Sequence, residues 1–509
     1  MTLGAGSSGD GTLTLSGIGS SVASTGTLAV GGAGTGTANL SLGATASAGA
    51  TSIGAAQGST GAVFVTDNGS ALDAGDSLTV GDGGSGTVTL GAAAGSSGTL
   101  QIGTGAGPGT IAAGTITGGD GTALIILDHS DVGYTFTPAI TGSASVALVG
   151  SGTTILTAAN SYTGATSVDA GTLQASAANV LSPNSAVTLA SGATLILAGT
   201  NQNVAALANA GTVSVAGTAA GATLTVSSDY AGKDGTLILG TTLAGNNSLT
   251  DRLIVGGGVS GTTHLAILNL GGKGAATTGN GIEIVDIAGA SAAGAFISGR
   301  TIAGAYDYRL YQGGVGAASG DGNWYLRSDL SQAAETYTAY LSTLVNYALA
   351  SIGTYRQRTG VWSYGAPGMT SADTWVRTSG QWASATPGEG SPYDQGLQFG
   401  QAGISTDLPV QLSAPGTLAA GFMASFGRSS TTVKTMSHGR SGSGTIDTNA
   451  WGIGANLTWT GSGGAADGVY ADAVGQLTWY DTAITASDAG SATSGSGAFG
   501  GALSLEVGK

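Results

Sequence analysis

The fold predicted for this chain is decided by residues 155–174, which read ILTAANSYTGATSVDAGTLQ. Three short runs of alternating apolar and polar residues lie between turns that contain glycine. Alternation with a period of two, bounded by turn-forming residues, is typical of short β-strands. We therefore predict three strands here, with the side chain of Tyr162 capping their stack.

Similar runs recur throughout residues 1–250. The clearest are Gly11–Ser16, Gly26–Val30, Ser77–Val80, Gly86–Leu90 and Gly98–Ile102. They recur at irregular intervals of roughly 10–25 residues, which is typical of a solenoid. One turn of such a chain cannot bury its apolar face alone, so the turns stack and the inward Leu, Val and Ile side chains form a continuous core. The runs predict a β-helix over residues 1–250; a β-sandwich or a disordered linker could also contain such runs.

The composition favours strands over helices and over disorder. The chain has 509 residues, of which 95 are Gly, and only 8% are charged. Glycine costs about 1 kcal/mol per helical position relative to alanine. Hydrophobic residues make up 41% and mean hydropathy is +0.25, whereas disordered chains are poor in apolar residues.

Charge and cysteine content exclude several classes of protein. Thirteen Lys and Arg residues against 28 Asp and Glu residues give a net charge of −15, which argues against nucleic acid as a partner. The absence of Cys excludes disulfides, thiolate nucleophiles and Cys-based zinc sites. Met1 leads directly into the repeats without a signal peptide, so an exported protein would start further upstream.

A second pattern, rich in aromatic residues, occupies residues 251–330. It runs from Asp251–Leu265 through Gly281–Ile287 to an aromatic end. The aromatic residues are Tyr306, Tyr308, Tyr311, Trp324 and Tyr325. The end of a solenoid exposes unpaired strand edges, so these side chains are predicted to cover that edge by packing rather than to bind a ligand.

Both patterns carry a family resemblance. The spacing N-x-Y-T-G-x-T-x-V-x-x-G-T-L over residues 160–173 resembles the passenger-associated repeat of autotransporters, the type V secretion proteins of Gram-negative bacteria. Residues 251–330 resemble the C-terminal passenger module of pertactin-like autotransporters. The resemblance implies a right-handed parallel β-helix whose last module caps the helix and helps it fold.

Residues 331–360 form the one long segment predicted to be helical. The helix is expected over Gln332–Arg358, with Ser331 as its N-cap. Its predicted apolar face consists of Tyr337, Leu341, Leu344, Ala348 and Ile352. The residue pattern indicates an amphipathic connector, and the resemblance implies a helix that passes through the lumen of a barrel.

The alternation after residue 373 predicts transmembrane strands. In Ala450–Trp459 the residues Trp451, Ile453 and Leu457 share one face, and Asn456 lies on the other. At about 3.3 Å per residue, Trp451 and Trp459 lie about 26 Å apart, close to the apolar height of an outer-membrane barrel. A soluble sandwich would carry charges on its outward face. Six strands are expected, near Trp375–Ala383, Gly396–Ile404, Leu418–Phe426, Ala450–Trp459, Val469–Trp479 and Phe499–Val507.

The order of these strands resembles the first half of the autotransporter β-domain, including GVYAD at residues 468–472 and GALSLEVG at residues 501–508. That family closes an antiparallel transmembrane β-barrel of about twelve strands and ends on an aromatic residue. The chain ends at Lys509, so the barrel is expected to be incomplete over residues 373–509 and the chain to be truncated at both ends.

The strongest enzyme-like motif is the sequence GDSL at Gly75–Leu78, which is similar to the nucleophile motif of some esterase passengers. That family also needs Asp three residues before a His, and none of His129, His264 and His438 has it. The motif is predicted to be a turn entering a strand, and the histidines to be surface or turn residues. We predict no catalytic, cofactor-binding or metal-binding residue and no cofactor.

The sequence thus indicates a non-enzymatic autotransporter. Its barrel is expected to anchor the protein and to help translocate a β-helical, adhesin-like passenger. The alternative is the stalk and translocator of an esterase or protease whose catalytic domain lies upstream. The expected partners are outer-membrane lipid, the barrel-assembly machinery and an unknown host or surface ligand. The barrel is expected in the outer membrane, with the passenger at the cell surface or released.

Overall fold

A computed structural model describes residues 1–65, 70–74, 77–80, 85–90, 97–102, 105, 110–112, 114–359, 373–388, 390–410, 415–461, 468–487 and 490–509. The chain divides into two compact units. One comprises Met1–Gly304 and Tyr308–Ser328, and the other comprises Ala305–Asp307 and Asp329–Lys509.

Strands joined by turns and loops make up the described chain before the helix. The first twelve, β1 to β12, are Thr2–Leu3, Asp10–Ser16, Ser21–Val30, Thr35–Ser41, Thr45–Ile53, Thr60–Val65, Ala71–Asp73, Ser77–Val80, Ser85–Leu90, Ser97–Ile102, Thr110–Ala112 and Thr115–Leu127. The next twelve, β13 to β24, are Tyr134–Phe136, Ala139–Leu148, Thr153–Leu156, Thr166–Val168, Thr172–Ala175, Ala186–Leu189, Thr194–Ile196, Gln202–Val204, Ala206–Asn209, Thr212–Ser214, Thr223–Val226 and Tyr230–Thr241. Strands β25 to β31 are Arg252–Val255, Val259–Asn269, Ile282–Ile287, Phe296–Ser298, Thr301–Ala303, Tyr306–Gln312 and Trp324–Leu330, with a 3-10 turn at Gly316–Ala318.

These strands stack in parallel, turn upon turn, and confirm the predicted β-helix, which has about 10 turns. One column of buried side chains shows how the stack is held together. Paired residues from β10 to β21 continue it through six strands: Ile102, Leu127, Leu148, Val168, Leu189 and Asn209. Burial of each aliphatic member contributes about 1.5–3 kcal/mol relative to exposure, so the column stabilises every turn against its neighbours.

Several polar side chains inside the β-helix are hydrogen-bonded. The Asp251 carboxylate is fully buried and accepts hydrogen bonds from the backbone N–H groups of Gly221, Ala222 and Gly240 at 2.8–2.9 Å. Tyr162 is also buried, and its hydroxyl lies 2.7 Å from Thr166 Oγ1. The prediction that Tyr162 caps the stack is therefore wrong, because its ring fills space between turns.

Tight turns explain part of the glycine content. Gly171 adopts a φ of +66°, and a Cβ at this position would collide with the carbonyl oxygen of Gly152 in the preceding turn. An L-residue with a side chain would be strained here by both backbone and contact. The glycine therefore lets successive turns stack closely.

The last part of the β-helix changes from parallel to antiparallel pairing. Strands β25 and β27 pair in parallel, whereas β27 and β31 pair antiparallel. Three aromatic rings pack together in this part of the β-helix. The ring of Tyr230 stacks on that of Phe296 at a centroid distance of 5.9 Å, and Phe296 makes an edge contact with Trp324 at 5.5 Å. Of the aromatic residues expected to cover the edge, Tyr308, Trp324 and Tyr325 are buried and Tyr306 and Tyr311 are half-buried.

The helical segment is shorter than predicted. Helix α1 spans Gln332–Ile352 and a separate short helix, α2, spans Tyr355–Thr359. Gly353, with a φ of +60°, ends α1. The N-cap is confirmed, since Ser331 Oγ accepts a hydrogen bond from the Ala334 N–H at 3.1 Å.

The predicted apolar face of α1 is partly wrong. Leu344 and Ile352 are buried, but Tyr337 is 43% exposed and Leu341 is 71% exposed. Thr336 and Thr343 are buried in their place. The helix therefore packs through a mixed face, because the surface beneath it is rich in glycine and polar side chains.

The remaining strands form one antiparallel sheet in sequence order. They are β32 to β37, at Asp373–Ala385, Tyr393–Asp407, Gly416–Ser437, Arg440–Gly461, Tyr470–Ala486 and Gly490–Gly508. Each predicted strand falls within one of these to within a residue, but most of the real strands are much longer. The fold is thus mostly β, with a parallel solenoid, one long helix and six antiparallel strands, as predicted.

Candidate membrane-spanning sheet and its helix

The two faces of the six-stranded sheet differ sharply in chemistry. On β35 the side chains of Trp451, Ile453 and Leu457 are 46–54% exposed on the outer face. Asn456 and Thr458 point to the inner face, where each is at most 9% exposed. Side chains alternate along a strand, so one face of the sheet is apolar and exposed while the other is polar and covered.

Aromatic rings form a row across the outer face. Phe426, Trp451, Trp479 and Phe499 are paired residues on four neighbouring strands. The rings of Trp451 and Trp479 stack with centroids 4.4 Å apart, and Trp479 lies 5.2 Å from Phe499. Rows of aromatic side chains are typical of the boundary between the hydrocarbon core and the head groups in transmembrane barrels.

Beyond this row, which we call the aromatic row, the outer face of β34 becomes mostly polar. The exposed residues that follow Phe426 on β34 are Arg428, Ser430, Thr432, Lys434 and finally Met436. Lys434 Nζ lies 2.9 Å from Asp394 Oδ2, and Ser430 Oγ donates to Asp447 Oδ1 at 2.6 Å. On β34 and β35 the continuous apolar band therefore ends at the aromatic row, although these strands continue towards the Ser437–Arg440 hairpin, whereas β32 carries the exposed Trp382 beyond it.

Helix α1 lies along the inner face. Leu344 and Tyr347 form a buried cluster with Leu397, Phe399 and Tyr480. The ring of Tyr347 makes edge contacts with Phe399 and Tyr480 at centroid distances of 6.2 and 5.9 Å. These aromatic contacts hold the middle of the helix against the sheet.

Glycines on the inner face make room for the helix. A Cβ at Gly427 would collide with the Tyr347 hydroxyl, and one at Gly444 would collide with Thr336. The strand glycines at these positions are therefore required by the close approach of the helix.

The C-terminal end of α1 is held by a polar network. The carbonyl oxygen of Ser351 accepts hydrogen bonds from Arg377 Nη2 at 2.5 Å and from Gln401 Nε2 at 2.8 Å. Gln476 Nε2 donates to Ser351 Oγ at 2.9 Å. Three strands thus bind one residue of the helix.

A buried ion pair holds α2. Arg358 Nη2 lies 2.5 Å from Asp472 Oδ2, and both side chains are at most 2% exposed. Thr458 Oγ1 donates to the other carboxylate oxygen of Asp472 at 2.6 Å. Buried charges are stable in a protein when they are paired and hydrogen-bonded. This pair therefore fixes α2 to the beginning of β36.

Three protein families match parts of this chain. Residues 374–509 match the autotransporter β-domain, residues 202–310 match the autochaperone domain type 1, and residues 149–175 match the passenger-associated-transport-repeat. The chain belongs to the autotransporters. Its sheet is the autotransporter β-domain and its β-helix is the passenger.

Curated relatives agree with this assignment. The adhesin BmaC autotransporter of Brucella suis is 32% identical over 56% of this chain and 9% of its own length. The protein YuaQ of Escherichia coli K12 is 30% identical over 68% of this chain and 26% of its own length. The autotransporter adhesin AIDA-I of Escherichia coli is 30% identical over 52% of this chain and 21% of its own length. The chain thus spans about a quarter or less of these relatives.

Membership of the autotransporter family gives the cellular location of the β-domain and of the passenger. The β-domain lies in the outer membrane and the passenger lies at the cell surface. Among the described residues, no helix is both long enough and apolar enough to span a membrane.

The enzyme-like motif of the passenger is only partly described. Gly75 and Asp76 lie outside the described residues, and Ser77 is the first residue of β8. Within the described ranges, no group of three or more His, Asp and Glu side chains is placed to hold a metal ion.

The three histidines lie far apart in different surroundings. His264 is exposed on β26, and His438 lies in the hairpin turn of the β-domain with a φ of +52°. His129 lies in the connection between β12 and β13, but it is not a surface residue, since it is only 2% exposed. Its Nε2 lies 2.8 Å from Thr154 Oγ1, and burial lowers the pKa of the imidazole against the opposing effects of Asp131 and Asp128.

Sequence reasoning missed the residues that hold the helix. Arg377, Gln401 and Gln476 belong to no sequence motif, Arg358 appears only as the end of the predicted helix, and Asp472 appears only within the GVYAD segment. The signal was present on β33, where Gln395 and Gln401 alternate with outward residues. Buried amides at inward positions of a strand indicate a polar partner on that side.

Proposed function

We propose that the β-domain anchors this protein in the outer membrane and helps to translocate its passenger, which acts as a non-enzymatic adhesin. The observation that carries the proposal is the helix that connects passenger and β-domain. It lies along the polar inner face of a sheet whose outer face is apolar, bound through Ser351 and through the Arg358–Asp472 pair. A chain segment held in this way matches a translocated passenger that stays attached to its anchor.

Outer-membrane lipid is the partner proposed for the apolar face, and the barrel-assembly machinery is the partner proposed for its insertion. Adhesion is supported by two relatives, BmaC and AIDA-I, which are named as adhesins. A surface or host ligand is proposed without a chemical identity. The net charge of −15 argues against nucleic acid as that ligand.

Surface display tests this proposal. An epitope inserted beside the exposed Val132, which is 85% exposed, should be accessible to antibody and to protease on intact cells producing the full-length protein. The same passenger without residues 331–509 should stay inaccessible. Equal surface labelling of both forms would contradict a role of the β-domain in translocation.

Adhesion needs a separate comparison. Cells displaying the full-length protein should bind to host cells or abiotic surfaces better than cells displaying the β-domain with an epitope in place of the passenger. Equal binding by the two strains, at equal epitope labelling, would remove the adhesin proposal and leave the anchoring proposal intact.

We further propose that the passenger is not an esterase, since an Asp-x-x-His base is missing from the sequence and Ser77 begins a strand of the β-helix. Purified passenger should not hydrolyse short-chain esters above the background of a Ser77→Ala variant. Hydrolysis that disappears in Ser77→Ala would restore the enzyme alternative.

Residues 251–330 are proposed to cap the β-helix and to assist its folding. The support is the antiparallel β27–β31 pairing together with the autochaperone match, which lies at residues 202–310 and so begins earlier than the boundary expected from sequence.

A further inference from the structure

The aromatic row is interrupted on the outer face of the first two strands. Phe426 pairs with Gly400, and Gly400 pairs with Thr378. A Cβ atom at Gly400 would meet nothing within 4 Å. The row of rings therefore gives way to an open space at this position.

This space is a groove of about 530 Å³, which we call the Gly400 groove. It is lined by Thr378, Gly380, Gln398, Gly400, Phe426 and Arg428, among others. On the side of the groove away from Arg428, the outer face continues with the paired residues Ala402 and Ala424, and then with Ile404 and Phe422. The groove therefore opens onto an apolar track that runs into the hydrocarbon band.

The opposite end of the groove is cationic. Arg428 pairs with Gln398 across the strands, and both side chains are exposed. In the described part of the chain the Arg428 guanidinium has no hydrogen bond or ion pair, whereas Lys434 is paired with Asp394. The nearest acidic neighbour in the next row, Asp447, accepts a hydrogen bond from Ser430. An unpaired cation is conspicuous in a protein with a net charge of −15.

The direction of the chain identifies the leaflet. Helix α1 begins at the hairpin end of the sheet, where Glu335 Oε2 accepts a hydrogen bond from the Met436 N–H at 2.6 Å. The chain reaches this end from the passenger, which lies at the cell surface. The hairpin end, and with it Arg428, therefore belongs to the outer leaflet.

We propose that the Gly400 groove binds the phosphorylated lipid A end of lipopolysaccharide, with a phosphate on Arg428 and Gln398 and an acyl chain along Gly400 and Ala402. Arginine binds phosphate through two parallel charge-assisted hydrogen bonds. The glycine leaves room for the chain beside Phe426. The inference rests on the proposed membrane anchoring, because it requires the outer face to meet lipid.

Lipid retention by the full-length protein tests the site. The protein is placed in nanodiscs containing phosphatidylethanolamine with either bisphosphorylated lipid A or its dephosphorylated form, and bound lipid is counted by native mass spectrometry. The Arg428→Gln variant should retain about tenfold less bisphosphorylated lipid A than wild type, as expected for loss of a charge-assisted hydrogen bond. The dephosphorylated form should be retained no better by wild type than by Arg428→Gln, because it offers no phosphate to the guanidinium.

Two further variants separate charge from shape. Gly400→Leu fills the groove while keeping the cation, and should also lower retention. Lys434→Gln removes a cation that is already paired, and should retain lipid A as wild type does. Wild-type retention by Arg428→Gln would overturn the site, and equal retention of phosphatidylglycerol would overturn the choice of lipid A. Heat-modified gel mobility identifies folded protein, so a failure of insertion, which would defeat the anchoring proposal itself, is distinguished from a loss of lipid binding.

Discussion

At the scale of the residue, depth along the outer face decides what a charge costs. Ile453 is 52% exposed and lies between the rings of Trp451 and Trp459, where the proposed surroundings are hydrocarbon. Ile453→Arg should therefore destabilise the full-length β-domain by about 2–4 kcal/mol. The measurement is the temperature at which heat-modified gel mobility changes.

Asn449 supplies the matched control. It lies on the same face of the same strand, one outward position beyond Trp451, and is already exposed and polar. Asn449→Arg should cost only about 0–1 kcal/mol. Asn456, expected from sequence to point into an open lumen, is unsuitable because it is only 9% exposed. Equal tolerance at Ile453 and Asn449 would mean that β35 does not cross a membrane.

His129 makes the passenger sensitive to acid. Burial lowers the pKa of this imidazole from its usual 6.5, so below that pH the unfolded chain binds more protons than the folded chain. Stability is then present above about pH 6.5 and falls as the pH drops towards the lower pKa of the folded state. In His129→Gln the free energy of unfolding in urea should decrease less between about pH 7.5 and pH 5.5 than it does in wild type. His264→Gln, at an exposed position, should leave the pH dependence as in wild type, and an unchanged slope in His129→Gln would contradict the assignment.

At the scale of the element, α2 depends on one ion pair. Arg358→Met leaves the Asp472 carboxylate buried without its cation, and should destabilise the β-domain by about 3–5 kcal/mol. Adding Asp472→Leu should recover most of that loss, because a buried pair replaced by apolar residues is often neutral. Thermal unfolding in detergent measures both.

Arg356 provides the comparison on the same short helix. It is exposed, donates to the Lys509 carbonyl oxygen at 2.9 Å and interacts with the Tyr470 side chain, but it has no buried charge as its partner. Arg356→Met should shift the unfolding temperature little. If Arg358→Met behaved like Arg356→Met, the ion pair would not hold α2.

The limits of sequence prediction are visible on β35. The predicted strand stopped at Ala450 because the outward residues before it, such as Asp447 and Thr445, are polar. The real strand begins at Arg440, and it continues there because the inward residues Ile446 and Ala450 are fully buried. Period-two alternation located all six strands but followed only the part that carries an apolar outer face.

The helix and its network were harder to predict for a different reason. Thr343 is buried and Leu341 is exposed because the face beneath α1 is made by strands that follow it in the chain. Arg358 and Asp472 are 114 residues apart, and the folding of the helix onto the six-stranded sheet brings them together. Local patterns carry no information about such a contact.

At the scale of the whole molecule, the passenger is expected to fold without the β-domain. Residues 1–330 should give a β-rich circular dichroism spectrum and should unfold cooperatively in urea, because buried columns such as Leu127–Leu148 tie each turn to the next. Residues 1–250, which lack Phe296 and Trp324 from the terminal aromatic stack, should unfold at lower urea or aggregate. A random-coil spectrum for residues 1–330 would contradict the prediction, and equal stability of the two fragments would remove the capping role.

The stacking of parallel turns also determines how the passenger would respond to mechanical force. The strand pairing of each described turn is to the turns before and after it, with about 20 residues between paired positions such as Thr166 and Val187. A pull on the free end would therefore peel turns away one at a time instead of breaking the whole stack at once. Each release would lengthen the chain by roughly 70 Å, so a cell tethered through this protein under flow would dissipate load in steps and keep its attachment.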